Sequence, residues 1–165
     1  MKYRTALIVL GLAAASLHAR AEEVDLSKLP PPATQTGVTY AKDIKPLLDA
    51  SCLQCHGAPR PGGDPRRSGP KGGLRLDSLE GALKGGEDGK VITPGDSAKS
   101  KLVVSVAQLN PKTAMPPKPR EGRGPGGQAG GQAGAAGGTP QRPPPKPLTA
   151  EQVSLVRAWI DQGAK

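Results

Sequence analysis

Apolar residues recur at helical spacing in several separate stretches of this chain. They predict a first helix over 39–51, in which Pro46 starts a turn or introduces a kink. Further helices are predicted at 79–84, at about 98–109 and at 149–162. The pattern therefore favours an all-α fold of short helices joined by long irregular loops.

Capping residues support three of these helices. Thr149 is the predicted N-cap of the last helix, Gln152 completes a capping box, and Gly163 supplies the C-terminal stop. The other predicted N-caps are Asp77 or Ser78 for the second helix and Ser97 or Asp96 for the third.

The first residues have the features of a secretory signal. A basic start is followed by the apolar run Ala6 to Leu17, which is too short to span a bilayer comfortably. Small residues at 19 and 21 form a cleavage site, so residues 1–21 are predicted to be a signal peptide. An uncleaved membrane anchor is the alternative. Export to the bacterial periplasm, with no transmembrane segment after cleavage, is therefore expected.

Two further stretches do not have the composition of a packed core. Residues 22–37 are polar and rich in proline, and predict an N-terminal linker or extended arm before a domain at 38–165. Within that domain, residues 117–147 contain 17 glycines and prolines among 31 positions. Such a segment buries too little apolar surface to offset its ordering entropy, and it predicts an irregular low-complexity insert.

The charge of +9 does not indicate a nucleic-acid-binding face. Removal of residues 1–21 leaves 20 basic and 14 acidic residues, and the 117–147 insert alone carries a net charge of +4. A nucleic-acid surface would need basic residues clustered on a fold, often with aromatic side chains. The chain has no Phe, and beyond residue 21 only Tyr40 and Trp159 are aromatic. A buried cofactor would supply the apolar mass that this core lacks.

The strongest chemical signal is the pentapeptide Cys52-Leu53-Gln54-Cys55-His56. The spacing Cys-x-x-Cys-His is typical of c-type haem attachment. Thiols three residues apart project from one side of a helical turn, where both can form thioethers to the vinyl groups of one porphyrin. His56 then follows as the proximal ligand of the iron. One covalent haem c is the predicted cofactor.

Other interpretations of the two cysteines are weaker. A thiol-disulfide oxidoreductase site is expected beside a βαβ pattern, which this sequence lacks. A structural zinc site needs about four ligands, and only Cys52, Cys55 and His56 are available here. A disulfide between the cysteines would close a very short loop and stabilise little. The haem-free redox thiol is kept as an alternative.

Met115 is the candidate distal iron ligand. It lies in Ala114-Met115-Pro116-Pro117, where the prolines keep the backbone extended and prevent a helix. A lone methionine is commonly core filler, but no second histidine follows residue 21. Lys112, Lys118 or an open distal position are the alternatives.

Two further residues are candidates for cofactor contacts. The guanidinium of Arg75 matches a haem propionate in a two-pronged way, although a solvent-facing role is an equal expectation. Trp159 on the last helix is predicted to pack at a helix crossing or against the haem edge.

The order of these features resembles the planctomycete-type cytochrome c domain, a branch of the class I-like cytochromes c. The resemblance covers 38–165 apart from inserts, and the matching stretches are Tyr40 to Leu48, Cys52 to Gly57, Gly72 to Ser78, Gly85-Gly86, Pro94-Gly95, Ser100 to Leu102, Met115 to Pro117, and Leu148 to Ala164. It implies a small cytochrome c-like helical fold around one haem. It also implies covalent attachment at Cys52 and Cys55, with His56 as the proximal ligand and Met115 as the distal one.

The predicted function is an exported mono-haem cytochrome that carries single electrons to unidentified redox proteins. No acid–base pair or nucleophile–base constellation indicates an enzyme. The first alternative is a haem-based sensor with an open or labile distal site, and the second is the haem-free thiol protein. The sequence indicates neither the redox partners nor the oligomeric state.

Overall fold

The computed structural model describes residues 24–59, 69–117 and 145–165. The predicted signal peptide and most of the predicted 117–147 insert lie outside these ranges. In the described residues the regular elements are helices and there is no β-strand, which agrees with the predicted all-α class. One isolated antiparallel bridge joins Gly86 and Gly89.

The first predicted helix is divided into two parts at Pro46. Residues Tyr40–Ile44 form a π-helical turn, and α1 (Lys45–Ser51) continues as a regular α-helix. Pro46 lies in the first turn of α1, directly after the π-helical turn. A single further turn, α2 (Leu53–His56), follows at once.

The second predicted helix is α3 (Leu79–Lys84). Of the two predicted N-caps, Ser78 has this role, because its hydroxyl accepts the Gly81 N–H at 3.1 Å. Gly85 ends the helix with a φ of +85°, which other residues rarely adopt.

The third helix, α4 (Lys101–Val106), is shorter than the predicted 98–109, and neither Asp96 nor Ser97 is its N-cap. The prediction was wrong here because a long-range contact engages the Ser97 hydroxyl, while the Asp96 carboxylate accepts the Lys99 N–H at 3.0 Å and caps only a short turn. Asp161 accepts hydrogen bonds from the N–H of Ser97 at 2.7 Å and from its hydroxyl at 3.0 Å. The Ser100 hydroxyl donates to the Asp96 carbonyl at 2.9 Å. Residues 97–100 therefore form a turn instead of the start of the helix.

The last helix, α5 (Ala150–Asp161), confirms its predicted caps. The Gln152 N–H donates to the Thr149 hydroxyl at 3.3 Å, and the Thr149 N–H donates to the Gln152 side chain at 2.9 Å. Gly163 follows the helix with a φ of +98°.

The core lies between α5 and the earlier helices, because α5 contacts both the π-helical turn and α4. The largest fully buried apolar side chains are Trp159, Ile44, Leu48, Leu76, Ile92, Ile160, Val103 and Val156. Burial of such side chains is the main source of stability in a domain of this size.

The N-terminal arm, residues 24–37, lies along α5. The Ala33 N–H donates to the Ser154 carbonyl at 2.9 Å, and the Gln162 side chain donates to the Gln35 carbonyl at 2.8 Å. Arg157 donates to the Pro30 carbonyl, and Leu29 is buried in the core. The packed part of the protein thus extends to Leu29, ahead of the predicted domain start at residue 38.

None of the helices in the described ranges has the length and apolar character needed to span a bilayer.

Candidate haem-attachment site

Cys52 lies between α1 and α2, and Cys55 lies within α2. The Cys52 N–H donates to the Leu48 carbonyl at 2.7 Å, which continues the hydrogen bonding of α1. The Cys52 carbonyl then accepts the N–H groups of Cys55 at 3.1 Å and of His56 at 2.9 Å. One helical turn therefore carries both thiols and the imidazole, with the thiols at positions i and i+3.

Gly57 allows the chain to leave this turn. A Cβ atom at position 57 would lie 2.7 Å from the Leu53 carbonyl oxygen, closer than such atoms approach in proteins. Glycine is therefore the residue that fits without a shift of the turn that precedes it.

The His56 ring has a defined hydrogen-bond partner. Its Nδ1 atom lies 3.2 Å from the carbonyl oxygen of Leu74. A carbonyl oxygen only accepts hydrogen bonds, so Nδ1 carries the proton and Nε2 keeps its lone pair for a metal. Metal-binding histidines in proteins commonly donate their second ring nitrogen in this way.

The surroundings of His56 also favour the neutral imidazole. Burial lowers the pKa of His56 below its ordinary value, and the charge of Lys71 acts in the same direction while a hydrogen bond to the Lys71 backbone acts against it. The hydrogen bond to Leu74 opposes this effect without reversing it. The imidazole is thus in the form that coordinates iron at neutral pH.

The segment Leu74 to Leu76 fixes His56 at two points. Besides the bond from the ring to Leu74, the Leu76 N–H donates to the His56 carbonyl at 2.8 Å. The Tyr40 hydroxyl donates to the carbonyl of the same residue, Leu76, also at 2.8 Å. Sequence reasoning missed these contacts, because the groups that face His56 belong to the backbone and have no side-chain signature.

The thiols do not have the properties of a redox-active pair. Both are free and half-buried. Burial raises the pKa of the Cys52 thiol to about 11, with a smaller contribution from the charge of Cys55. Catalytic redox thiols have a lowered pKa, since the thiolate is the nucleophile. The environment of Cys52 therefore opposes the thiol-oxidoreductase interpretation.

A structural zinc site also lacks support. In the part of the chain that the structure describes, no group of three or more His, Cys, Asp and Glu side chains is arranged to hold a metal ion.

Met115 lies in the loop that follows α4, with its backbone held and its side chain 40% exposed. Its N–H donates to the Ser105 carbonyl at 2.9 Å. The Gln108 side chain, just after α4, donates to the carbonyl of Pro116 at 3.0 Å. The backbone at Met115 and Pro116 is therefore hydrogen-bonded to α4 or to the residue that follows it closely. Of the alternative ligands, Lys112 lies exposed in the same loop, and Lys118 lies outside the described residues.

Arg75 forms a two-pronged ion pair with Asp77. The distances are 3.0 Å from Nε to Oδ1 and 2.7 Å from Nη2 to Oδ2. Hydrogen bonding and charge from Asp77 raise the pKa of Arg75, and the same pair lowers the pKa of Asp77. The guanidinium fork thus has a partner within the chain, and its contact with a propionate stays a prediction.

Trp159 is fully buried at the crossing of α5 and the π-helical turn. Its ring centroid lies 5.9 Å from that of Tyr40, and the two planes are inclined by 45°. Its indole N–H donates to the Lys165 carbonyl at 2.9 Å. Trp159 thus packs between α5 and the π-helical turn, and packing against the haem edge stays a prediction.

The comparison with known protein families agrees with the resemblance predicted from the sequence. Residues 52–119 match the family model of the planctomycete cytochrome C, a segment that begins at the first cysteine and includes Met115. This confirms the predicted resemblance to the planctomycete-type cytochrome c domain over residues 52–119. Searches of curated proteins and of solved structures gave no match.

The residues of the site fit the covalently bound haem that this family implies. The turn supplies two thiols at the attachment spacing, in Cys52 and Cys55. It also supplies a neutral imidazole whose Nδ1 is engaged and whose Nε2 is free to coordinate. This donor set is the one that a c-type haem needs on its proximal side.

Proposed function

We propose that this protein is an exported single-electron carrier with one covalent haem c. Cys52 and Cys55 hold the porphyrin through thioether bonds, His56 is the proximal iron ligand and Met115 is the distal one. The observation that carries the proposal is the contact between the His56 ring and the Leu74 carbonyl. It leaves Nε2 as the coordinating atom and holds the imidazole in one orientation.

The protein's own side chains would attach the haem, coordinate its iron and shield part of it from water. The bound haem supplies one-electron chemistry through its iron, which alternates between the ferric and ferrous states. The partial burial of both cysteines holds the attachment turn against the core, since Cys52 and Leu53 pack on the buried cluster. The half-buried turn keeps part of the site shielded from water.

Met115 supplies the second axial ligand in this proposal. A thioether ligand raises the reduction potential, because it favours the ferrous state more than imidazole does. The hydrogen bonds of Met115 to Ser105 and of Pro116 to Gln108 support this role, since they restrict the loop that presents the sulfur. With both axial positions filled, the protein transfers electrons without binding a substrate at the iron.

The partners in this proposal are other redox proteins of the same exported compartment. Cytochromes c receive their haem outside the cytoplasm, which agrees with the predicted signal at 1–21.

The exposure of Met115 favours a second candidate function. At 40% it is one of two large apolar side chains that are exposed in the described residues, the other being Leu26. A ligand held only through its backbone could leave the iron, and the protein would then bind a small gas molecule in its place as a sensor.

Three measurements on the purified exported protein distinguish the candidates. Covalent haem staining on a denaturing gel should be positive, and negative for the double variant Cys52→Ala and Cys55→Ala. The reduced protein should resist carbon monoxide at concentrations that saturate the Met115→Ala variant. Rapid binding of carbon monoxide by the wild type would favour the sensor, and an unstained protein with a titratable dithiol would overturn both haem functions.

A further inference from the structure

The Tyr40 hydroxyl makes a buried hydrogen bond to the segment that contacts His56. It donates to the Leu76 carbonyl at 2.8 Å, and Tyr40 itself is only 6% exposed. Burial raises the pKa of Tyr40, with smaller contributions from the charges of Asp49 and Asp77. The phenol therefore stays a protonated donor throughout the neutral range.

Leu76, which accepts this bond, is itself hydrogen-bonded to His56. The Leu76 N–H donates to the His56 carbonyl at 2.8 Å, and the carbonyl of Leu74, two residues earlier, accepts from the His56 ring at 3.2 Å. A displacement of Leu76 would therefore move both the backbone of His56 and the acceptor of its ring. The Tyr40 side chain holds Leu76 through its carbonyl.

Tyr40 is itself held firmly enough to act as an anchor. Its backbone N–H donates to the Lys165 carbonyl at 2.8 Å, which also accepts the indole N–H of Trp159 at 2.9 Å. The rings of Tyr40 and Trp159 are in contact, with centroids 5.9 Å apart. The π-helical turn and α5 thus form a rigid support on which the hydroxyl is mounted.

We propose that Tyr40 is a positioning residue for the proximal ligand, acting on His56 through the segment Leu74 to Leu76. This inference rests on the proposed function. By keeping the Leu74 carbonyl in place, the hydroxyl maintains a strong hydrogen bond at Nδ1 of His56. Such a bond increases the donor strength of the opposite ring nitrogen, which strengthens coordination and stabilises the ferric state.

The test removes the hydroxyl alone, in the haem-loaded Tyr40→Phe variant. The expected results are a positive shift of the reduction potential and a lower iron–histidine stretching frequency in the resonance Raman spectrum. The Raman measurement uses the Met115→Ala background, in which the ferrous iron has no methionine ligand.

The matched control is Ser100→Ala. The Ser100 hydroxyl is also fully buried and also donates to a backbone carbonyl, that of Asp96 at 2.9 Å. It has no hydrogen bond to the segment 74–76. The control should lower the melting temperature, as Tyr40→Phe does, without a change in potential or stretching frequency. If both variants shift the potential equally, or if Tyr40→Phe shifts neither quantity, the role of Tyr40 is structural only and the inference is overturned.

Fluorinated tyrosine provides a conservative rescue. The only tyrosines are Tyr3, in the predicted signal, and Tyr40, so growth on 3-fluorotyrosine labels a single site of the exported protein. The label keeps the hydroxyl, and the potential should stay closer to that of the wild type than to that of Tyr40→Phe. A shift as large as that of Tyr40→Phe would assign the effect to ring packing and contradict the inference.

The experiments distinguish a failure of this inference from a failure of the proposed function. A wild-type protein without covalent haem overturns the proposed function and this inference with it. A haem-loaded Tyr40→Phe protein with unchanged potential and Raman frequency overturns the inference alone.

Discussion

The Nδ1 atom of His56 lies 3.2 Å from the carbonyl oxygen of Leu74, eighteen residues later in the chain. The contact joins α2 to a segment well beyond it in the sequence and places a backbone acceptor beside the ring. It defines which nitrogen of His56 can bind iron. The attachment motif supplies the ligand, and the fold supplies its orientation.

Gly57→Ala should weaken both folding and haem attachment. The added Cβ would lie 2.7 Å from the Leu53 carbonyl oxygen, so α2 has to shift. Overpacking of this kind costs about 1–3 kcal/mol in the free energy of unfolding. The ratio of haem absorbance to total protein should fall with it.

Gly37→Ala is the control for Gly57→Ala. Gly37 has a φ of +67°, and a Cβ atom added there would meet no other atom within 4 Å. Alanine at this position therefore introduces backbone strain away from the haem turn without a close contact. It should lower stability by about 1–2 kcal/mol and leave the haem content unchanged. Equal haem content in both variants would contradict the importance of the close approach at Gly57.

Thr149→Ala should destabilise the protein by about 1 kcal/mol, the usual contribution of an N-cap. The change removes the hydroxyl that accepts the Gln152 N–H and leaves half of the capping box. Urea unfolding followed by circular dichroism measures the effect, and Thr149→Ser should restore most of the loss. A midpoint for Thr149→Ala equal to that of the wild type would show that the cap is not needed.

The sequence predicted those elements whose determinants are local. The capping box of α5 and the Ser78 cap of α3 are formed by neighbouring residues, and both were confirmed. The start of α4 was wrong because the Ser97 hydroxyl donates to Asp161, 64 residues later, and accepts from Arg157 instead of from an N–H of its own helix. Long-range contacts of this kind leave no periodic signal in the sequence.

The same distinction holds for the candidate site. The haem-attachment signal depends on residue types at fixed spacing, which a sequence shows directly. The acceptor at Leu74 and the anchor at Tyr40 depend on tertiary structure, since a carbonyl group is present at every position. The role of Met115 as iron ligand stays a prediction from sequence and family.

Arg157→Met should release the N-terminal arm from α5. Arg157 donates to the Pro30 carbonyl and, at 3.2 Å, to the Ser97 hydroxyl, so its loss removes a link between three segments. Trypsin should then cleave after the exposed Lys28 several-fold faster than in the wild type.

Ser154→Ala is the matched control on the same helix. The Ser154 hydroxyl bonds only within α5, to the Ala150 carbonyl at 2.9 Å. Its backbone carbonyl, which accepts the Ala33 N–H, is kept in the variant. Cleavage after Lys28 should stay at the wild-type rate, and equally fast cleavage in both variants would contradict the role of Arg157.

Cys52 should react slowly with alkylating reagents in the haem-free chain. The thiolate is the reactive form, and a pKa of about 11 in place of 9.0 lowers its fraction about 100-fold at pH 8. The alkylation rate should rise about tenfold for each pH unit until the pH approaches the pKa. Peptide mass spectrometry follows the modification of residue 52. A rate that is independent of pH between 7 and 9 would contradict the raised pKa.

The absorption spectrum of the oxidised protein tests the His56–Met115 ligation most directly. The account predicts a low-spin ferric spectrum with the weak long-wavelength band of a methionine sulfur bound to ferric haem. That band should disappear in Met115→Ala and remain in Lys112→Ala. A high-spin spectrum of the wild-type protein, or a long-wavelength band that survives in Met115→Ala, would contradict the account.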